Sequence, residues 1–306
     1  MDNHISTSTF TSIATSINPY VFVLDWDGSV AGDVSFQSQY YSIVAILKKH
    51  GVKPKVQHPI PHAFAPSSKL IRPGFTDWMQ TLQKIYPEVY FFIYTASMKN
   101  WALQEIAWVE KLHDIKFARP IFTRDDCTTD SNGNMRKSLA RIFPRIIKTI
   151  SKSRTHPLTI EQRKTILDKN ILIIDNNAVY TDRTDKLLLC PDYGYAVFEN
   201  LLSLIPKESR KTPEIQQLIY SLINAGYLCT LPGENDDGMY ALSNQYSWLA
   251  AKCKSLHELN KKYARDDFWK HLRKMIVGNK IDQYSASIIK QLQDASWKHA
   301  KKNKIH

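Results

Sequence analysis

Tyr20-Val21-Phe22-Val23-Leu24-Asp25-Trp26-Asp27-Gly28-Ser29 decides how this chain is read. Five consecutive apolar residues, mostly β-branched or aromatic, suit a strand buried on both faces of a parallel sheet. The run stops at an acid. Two later runs share the design: Val89-Tyr90-Phe91-Phe92-Ile93-Tyr94 ends at Thr95, and Ile171-Leu172-Ile173-Ile174 ends at Asp175. Phe75, Trp78, Met79, Leu82 and Ile85 recur at helical spacing after Arg72-Pro73-Gly74. Trp101, Ile106, Val109 and Leu112 do so after Thr95-Ala96-Ser97. Strands alternating with helices predict an α/β fold around a doubly wound, Rossmann-like parallel sheet. Such sheets bind ligands beyond the carboxyl ends of their strands, where these polar residues fall.

Alternate side chains of an extended segment share a face, so Asp25 and Asp27 can approach one bound phosphate together. Gly28 relieves steric constraint where the chain leaves the strand. A plain turn capped by an Asp uses the same residues.

Working outward, residues from about 31 to 69 separate the first strand from Arg72-Pro73-Gly74. They read as an insertion above the strand ends, helical over Tyr40–Lys49 and otherwise Pro/His-rich, able to act as a cap or flap. A second insertion, about 149–168, is polar and basic. Residues 1–17 read as a mobile Ser/Thr-rich leader, and 18–205 as the α/β domain. Residues 206–306 read as a helical, basic C-terminal region, broken by the turn-rich Gly233–Gly238 stretch and carrying Tyr246, Trp248, Tyr263, Phe268, Trp269 and Trp297.

Composition narrows the class. With 43% hydrophobic and 11% aromatic residues among 306, the chain can bury a substantial core, which argues against wholesale disorder. No apolar stretch is long enough to span a bilayer, so no membrane partner is expected. Cys127, Cys190, Cys229 and Cys253 lack the close pairing of zinc sites or disulfide frameworks, which predicts thiols in the cytoplasm or nucleus. The net charge is +12, and from Ala251 onward fourteen Lys/Arg face five acids. Polyanions therefore become candidate partners, nucleic acid among them, through the basic C-terminal region. Leu256, Leu259 and Tyr263, then Phe268, Leu272 and Met275, recur at helical spacing, which favours a packed helical region presenting a basic face.

Asp25-Trp26-Asp27-Gly28-Ser29 resembles the Asp-x-Asp-Gly-Thr motif of haloacid dehalogenase-like phosphatases. Leu70–Phe75 with Ile93–Ser97 is similar to the Arg-Pro-Gly helix and Thr-Ala-Ser strand end of one branch. That branch holds the phosphatases of the RNA polymerase II C-terminal domain and their small relatives. Phe122–Cys127 resembles its Phe-Arg-Glu-Ser-Cys, Gly133–Leu139 its Gly-Asn-Tyr-x-Lys-Asp-Leu, and Asp175-Asn176 opens its Asp-Asn-Ser-Pro. The likeness spans about residues 18–205.

The resemblance implies a Mg²⁺-dependent phosphatase acting on phosphorylated Ser/Thr proteins. It implies Asp25 as nucleophile forming an aspartyl-phosphate, and Asp27 as acid and base. Thr95 would contact a phosphoryl oxygen, with Gly28, Ser29 and Ala96 in the surrounding loops, and Lys137 would neutralise charge. Mg²⁺ would be held by Asp25, the Asp27 carbonyl and Asn176, with Asp175 beside them. Three positions depart from the pattern: Ser138 for Asp, Asn177-Ala178 for Ser-Pro, and Ser29 for Thr. Two alternatives stay open: a phosphatase of nucleic-acid 3′ or 5′ ends, and a catalytically weak or silent scaffold for phosphorylated or acidic partners.

Overall fold

The computed structural model describes residues 18–54, 60–197, 204–225, 255 and 258–302, leaving aside the side chains of 222–225. The leader 1–17, the Gly233–Gly238 break, Tyr246, Trp248, Cys229, Cys253 and Leu256 lie outside them.

The three apolar runs form β1 (Tyr20–Leu24), β2 (Val89–Ile93) and β5 (Ile171–Asp175), all parallel in one sheet of order β2-β1-β5-β6. Leu24 lies opposite both Ile93 and Ile174, so the strands end level and Asp25, Thr95 and Asp175 emerge along one edge. The fourth strand, β6 (Leu187–Leu189), pairs parallel with β5. A short hairpin, β3 (Thr128–Thr129) with β4 (Met135–Arg136), precedes Lys137. Neither β6 nor the hairpin follows from the apolar pattern.

Alternation along β1 sends Phe22 and Leu24 into one core and Val21 and Val23 into another. The second core is closed by Leu139, Ile142, Ile146, Ile147 and Ile150 of α5 (Leu139–Lys152). The first is larger. It takes Phe75, Trp78, Met79 and Leu82 of α3 (Phe75–Ile85), and Ala102, Ile106 and Val109 of α4 (Lys99–His113). The first insertion supplies α1 (Phe36–Lys49), longer than its Tyr40–Lys49 signal, and the single turn α2 (Ile60–Ala63). In the stretch read as a second insertion, α5 continues to Lys152, and α6 (Ile160–Thr165) follows, running on into a π-helical segment at Ile166–Asn170.

Helix α7 (Pro213–Ala225) buries Ile215 and Ile219. Further on, α8 (Phe268–Gly278) and α9 (Ala286–Lys302) enter the first core through Phe268, Trp269, Leu272, Ile276, Ile289 and Leu292. Trp269 lies 4.5 Å from the Trp78 ring and 5.1 Å from that of Phe75, centroid to centroid. Arg72 of the Arg-Pro-Gly segment is fully buried, with Nε and Nη2 each 2.8 Å from a carboxylate oxygen of buried Asp266. Its guanidinium lies over Phe268 at 4.6 Å. The C-terminal helices thus form part of one apolar face of the sheet.

The spacing of Trp101, Ile106, Val109 and Leu112 does form the helix α4, but not all four side chains are buried. Trp101 is only partly buried and Leu112 is exposed, while Glu105 is 1% exposed. A carboxylate occupies the buried face because the indole N–H of Trp26 and the amide of Gln37 both donate to it, at 2.7 and 2.6 Å. On α3, Ile85 likewise turns outward.

Candidate active site

Asp25 leaves β1 with its N–H on the Ile174 carbonyl at 2.9 Å, which anchors the loop to β5. Trp26 is buried and its carbonyl accepts from Val30 and Ala31, so the chain folds back within one turn. Gly28 stands at φ +79°, and a Cβ there would lie 2.3 Å from Asn176 Nδ2 and 2.5 Å from Asp192 Oδ1. Both conformation and space require glycine.

Lys137 closes the site from the other side. Hairpin β3–β4 delivers it, and its backbone exchanges bonds with Val179 and Thr181. Its Nζ donates to Asp25 Oδ1 at 2.6 Å and to Asp175 Oδ2 at 2.8 Å, with all three residues buried. Burial works to lower the Lys137 pKa, but Asp25 and Asp175 outweigh it and raise it, so the side chain stays a cation. The other Asp175 oxygen accepts the Asn177 N–H at 2.7 Å.

Asp27 sits beside this bridge. Its Oδ2 accepts from Ser97 Oγ at 2.5 Å and Thr95 Oγ1 at 3.2 Å, while Oδ1 is buried without a partner among the described residues. Burial raises its pKa, against the pull of the Ser97 and Thr95 hydroxyls. Asp25 is pushed up to about 7, first by burial and then by its acidic neighbours Asp175 and Asp27, despite Lys137.

The structure therefore brings Asp25, Asp27, Thr95, Lys137 and Asp175 together. Ser29 Oγ lies 3.5 Å from Asp25 Oδ2 and 3.3 Å from Asn176 Oδ1, and it accepts the Asn176 N–H at 3.0 Å. Ala96 is tied elsewhere, its carbonyl accepting from Arg124 Nε at 2.8 Å.

Three groups escaped the sequence reading. Ser97 holds Asp27, although its motif was in view. Asp192 accepts from Asn176 Nδ2 at 2.6 Å, which leaves Asn176 Oδ1 turned toward Ser29. Asp182 accepts from Ser138 Oγ at 2.5 Å and from the Leu139 N–H at 2.8 Å, capping α5 beside Lys137. No sequence signal marked Asp192 or Asp182.

Three carboxylates meet one ammonium here, so acidic charge exceeds basic charge. Among the described residues no group of three or more His, Cys, Asp or Glu side chains could by itself hold a metal ion. Yet Asp25 Oδ2 and Asn176 Oδ1 converge on one hydroxyl, that of Ser29. Such a partial, oxygen-only set fits Mg²⁺, which keeps several waters or phosphate oxygens.

A parallel sheet with an Asp-x-Asp loop and a lysine–aspartate bridge at its carboxyl edge defines a phosphatase of the haloacid dehalogenase superfamily. The chain belongs to the NLI interacting factor-like phosphatase family, whose model matches residues 21–210. Two solved structures are similar. One is Fcp1, an essential RNA polymerase II CTD phosphatase, at 16% identity and TM-score 0.34, covering 89% of this chain and 70% of that one. The other is a variant of fission yeast Fcp1 bound to beryllium fluoride, at 14% identity, TM-score 0.34 and the same coverage. No curated protein matches the chain.

Proposed function

We propose that the chain hydrolyses phosphomonoesters in two steps through Asp25, with phosphorylated Ser/Thr proteins as substrates. The bridge from Lys137 to Asp25 and Asp175, closed within 2.8 Å beside Asp27, is the observation that carries this reading.

A carboxylate oxygen of Asp25 attacks phosphorus as the ester P–O bond breaks, giving an aspartyl-phosphate. Asp27 delivers its proton to the departing oxygen, and burial, by raising its pKa, favours the proton being there beforehand. Asp27 then takes a proton from the attacking water, phosphate leaves and Asp25 is regenerated. Lys137 offsets charge on the transferred group. Thr95 and Ser97 hold Asp27 in place and stand where a phosphoryl oxygen would find donors. Asp25, the Asp27 carbonyl and Asn176 would hold Mg²⁺, with Asp175 and Asp192 supporting them. When bound, that ion lowers the repulsion between carboxylate and phosphate. The protein-substrate assignment rests on the family match and its motifs. Buried free Cys127 and Cys190 accord with a cytoplasmic or nuclear setting.

Phosphate release from p-nitrophenyl phosphate with and without Mg²⁺ tests the mechanism. Asp25→Asn is expected to lose at least about a thousandfold in kcat, and chelation to silence the native chain. Undiminished turnover by Asp25→Asn overturns the reading. Faster hydrolysis of phosphorylated oligonucleotide ends than of phosphopeptides would move the substrate class to nucleic acid.

A further inference from the structure

Helix α5 starts two residues after Lys137 and runs away from the site. Its buried face is Leu139, Ile142, Ile146, Ile147 and Ile150. On the opposite face Arg141, Arg145, Lys148 and Lys152 follow one another at four-, three- and four-residue steps, all exposed. That spacing keeps them in one row. The helix contains no acid. Arg145 pairs with Asp126 and lies over Phe122. Arg141, Lys148 and Lys152 have no carboxylate partner among the described residues.

Helix stability explains only the end of the row, where Lys152 in the last turn suits the helix dipole. A cation in the first turn, as at Arg141, opposes the helix dipole, and acids four residues away would have helped. The row is about 16 Å long, the length of some five residues of extended peptide. We propose that it is a docking surface for an anionic polypeptide: a phosphorylated chain whose further phosphates or acidic side chains lie along α5 while one phosphate occupies the Asp25 site. The inference rests on the phosphatase reading for the direction of the chain, and on charge complementarity for the contact. A peptide fits better than single-stranded nucleic acid, which needs aromatic platforms for stacking. The helix carries one aromatic, Phe143, packed against the second core.

The test is the triple variant Arg141→Glu, Lys148→Glu, Lys152→Glu, all at exposed positions, with its melting temperature as a check on folding. KM for a multiply phosphorylated peptide is expected to rise about tenfold or more, with kcat and small-ester hydrolysis unchanged. The rise should shrink as salt increases. Equilibrium binding of the same peptide to Asp25→Asn, with and without the triple change, tests the row even if the native chain hydrolyses nothing. Unchanged peptide KM and affinity overturns the proposal, as does an equal loss on the small ester. Weakened oligonucleotide binding with peptide affinity intact overturns it too, and reassigns the row to nucleic acid.

Discussion

Glu105 is a carboxyl group held at a pH where water would strip its proton. Burial first, and then the nearby Asp27, raise its pKa from 4.5 to about 8, against the hydrogen bonds from Trp26 and Gln37. Between those two values the unfolded chain has lost a proton that the folded one keeps. Stability should therefore be full below about pH 4.5 and fall as pH rises through about 8, by on the order of 2–4 kcal/mol. Glu105→Gln cannot ionise, and its single oxygen serves only one of the two donors. It should be less stable than the native chain at pH 5 by about 1 kcal/mol, with a flatter profile between pH 5 and 8. Urea titrations across that range check this, and an unaltered slope would refute it. A helical pattern cannot disclose such a residue. Trp101 and Leu112 mark the helix by their spacing, but the acid on its buried face is held by the Trp26 indole and the Gln37 amide, 79 and 68 positions away. Asp25, Asp27, Thr95, Lys137 and Asp175 were legible because each closes an apolar run or stands in a recognised motif. Asp192 and Asp182 act through partners 16 and 44 residues away, a separation that spacing does not encode.

The start of α5 shows how an altered motif can keep its geometry. Ser138 stands where the motif this segment resembles has Asp. Here the carboxylate comes from Asp182, which accepts from the Ser138 hydroxyl and from the first N–H of the helix, while Ser138 Oγ caps the Arg141 N–H at 3.1 Å. An acid at this end also suits the helix dipole. Asp182→Ala is expected to cost about 1–2 kcal/mol and to lower kcat more than it raises KM, because Lys137 loses its support. Adding Ser138→Asp should recover much of both, as read by thermal melts and steady-state kinetics. If kcat is untouched by Asp182→Ala, the carboxylate is not what holds Lys137. Among the strands, β1, β2 and β5 declared themselves because both faces are buried and their side chains are uniformly apolar. Strand β6 has three residues and the hairpin strands two each, too short to show a period.

The molecule as a whole joins segments far apart in the chain around one core. The family match ends at residue 210, yet Phe268 and Trp269 lie in the same apolar cluster as Phe22 and Trp78. Arg72 and Asp266 form the charged part of that junction, and Arg72 Nη1 also donates to the Pro191 carbonyl at 2.8 Å, next to Asp192. Removing one partner of a buried ion pair strands the other charge, so Asp266→Ala is expected to cost about 3–5 kcal/mol. The double change Arg72→Met, Asp266→Leu should regain much of it. Calorimetry of the three proteins decides the matter, and a single variant as stable as the native chain would deny the pair any structural part.

The 194 positions between Arg72 and Asp266 also have a meaning in time. On the ribosome, at about 5–20 residues per second, they take about 10–40 s to make. For nearly all of that interval Phe75 and Trp78 are already in the chain, while Trp269, which packs on both, is not. That part of the core can close only once Trp269 has been made, long after the strands and helices it packs on.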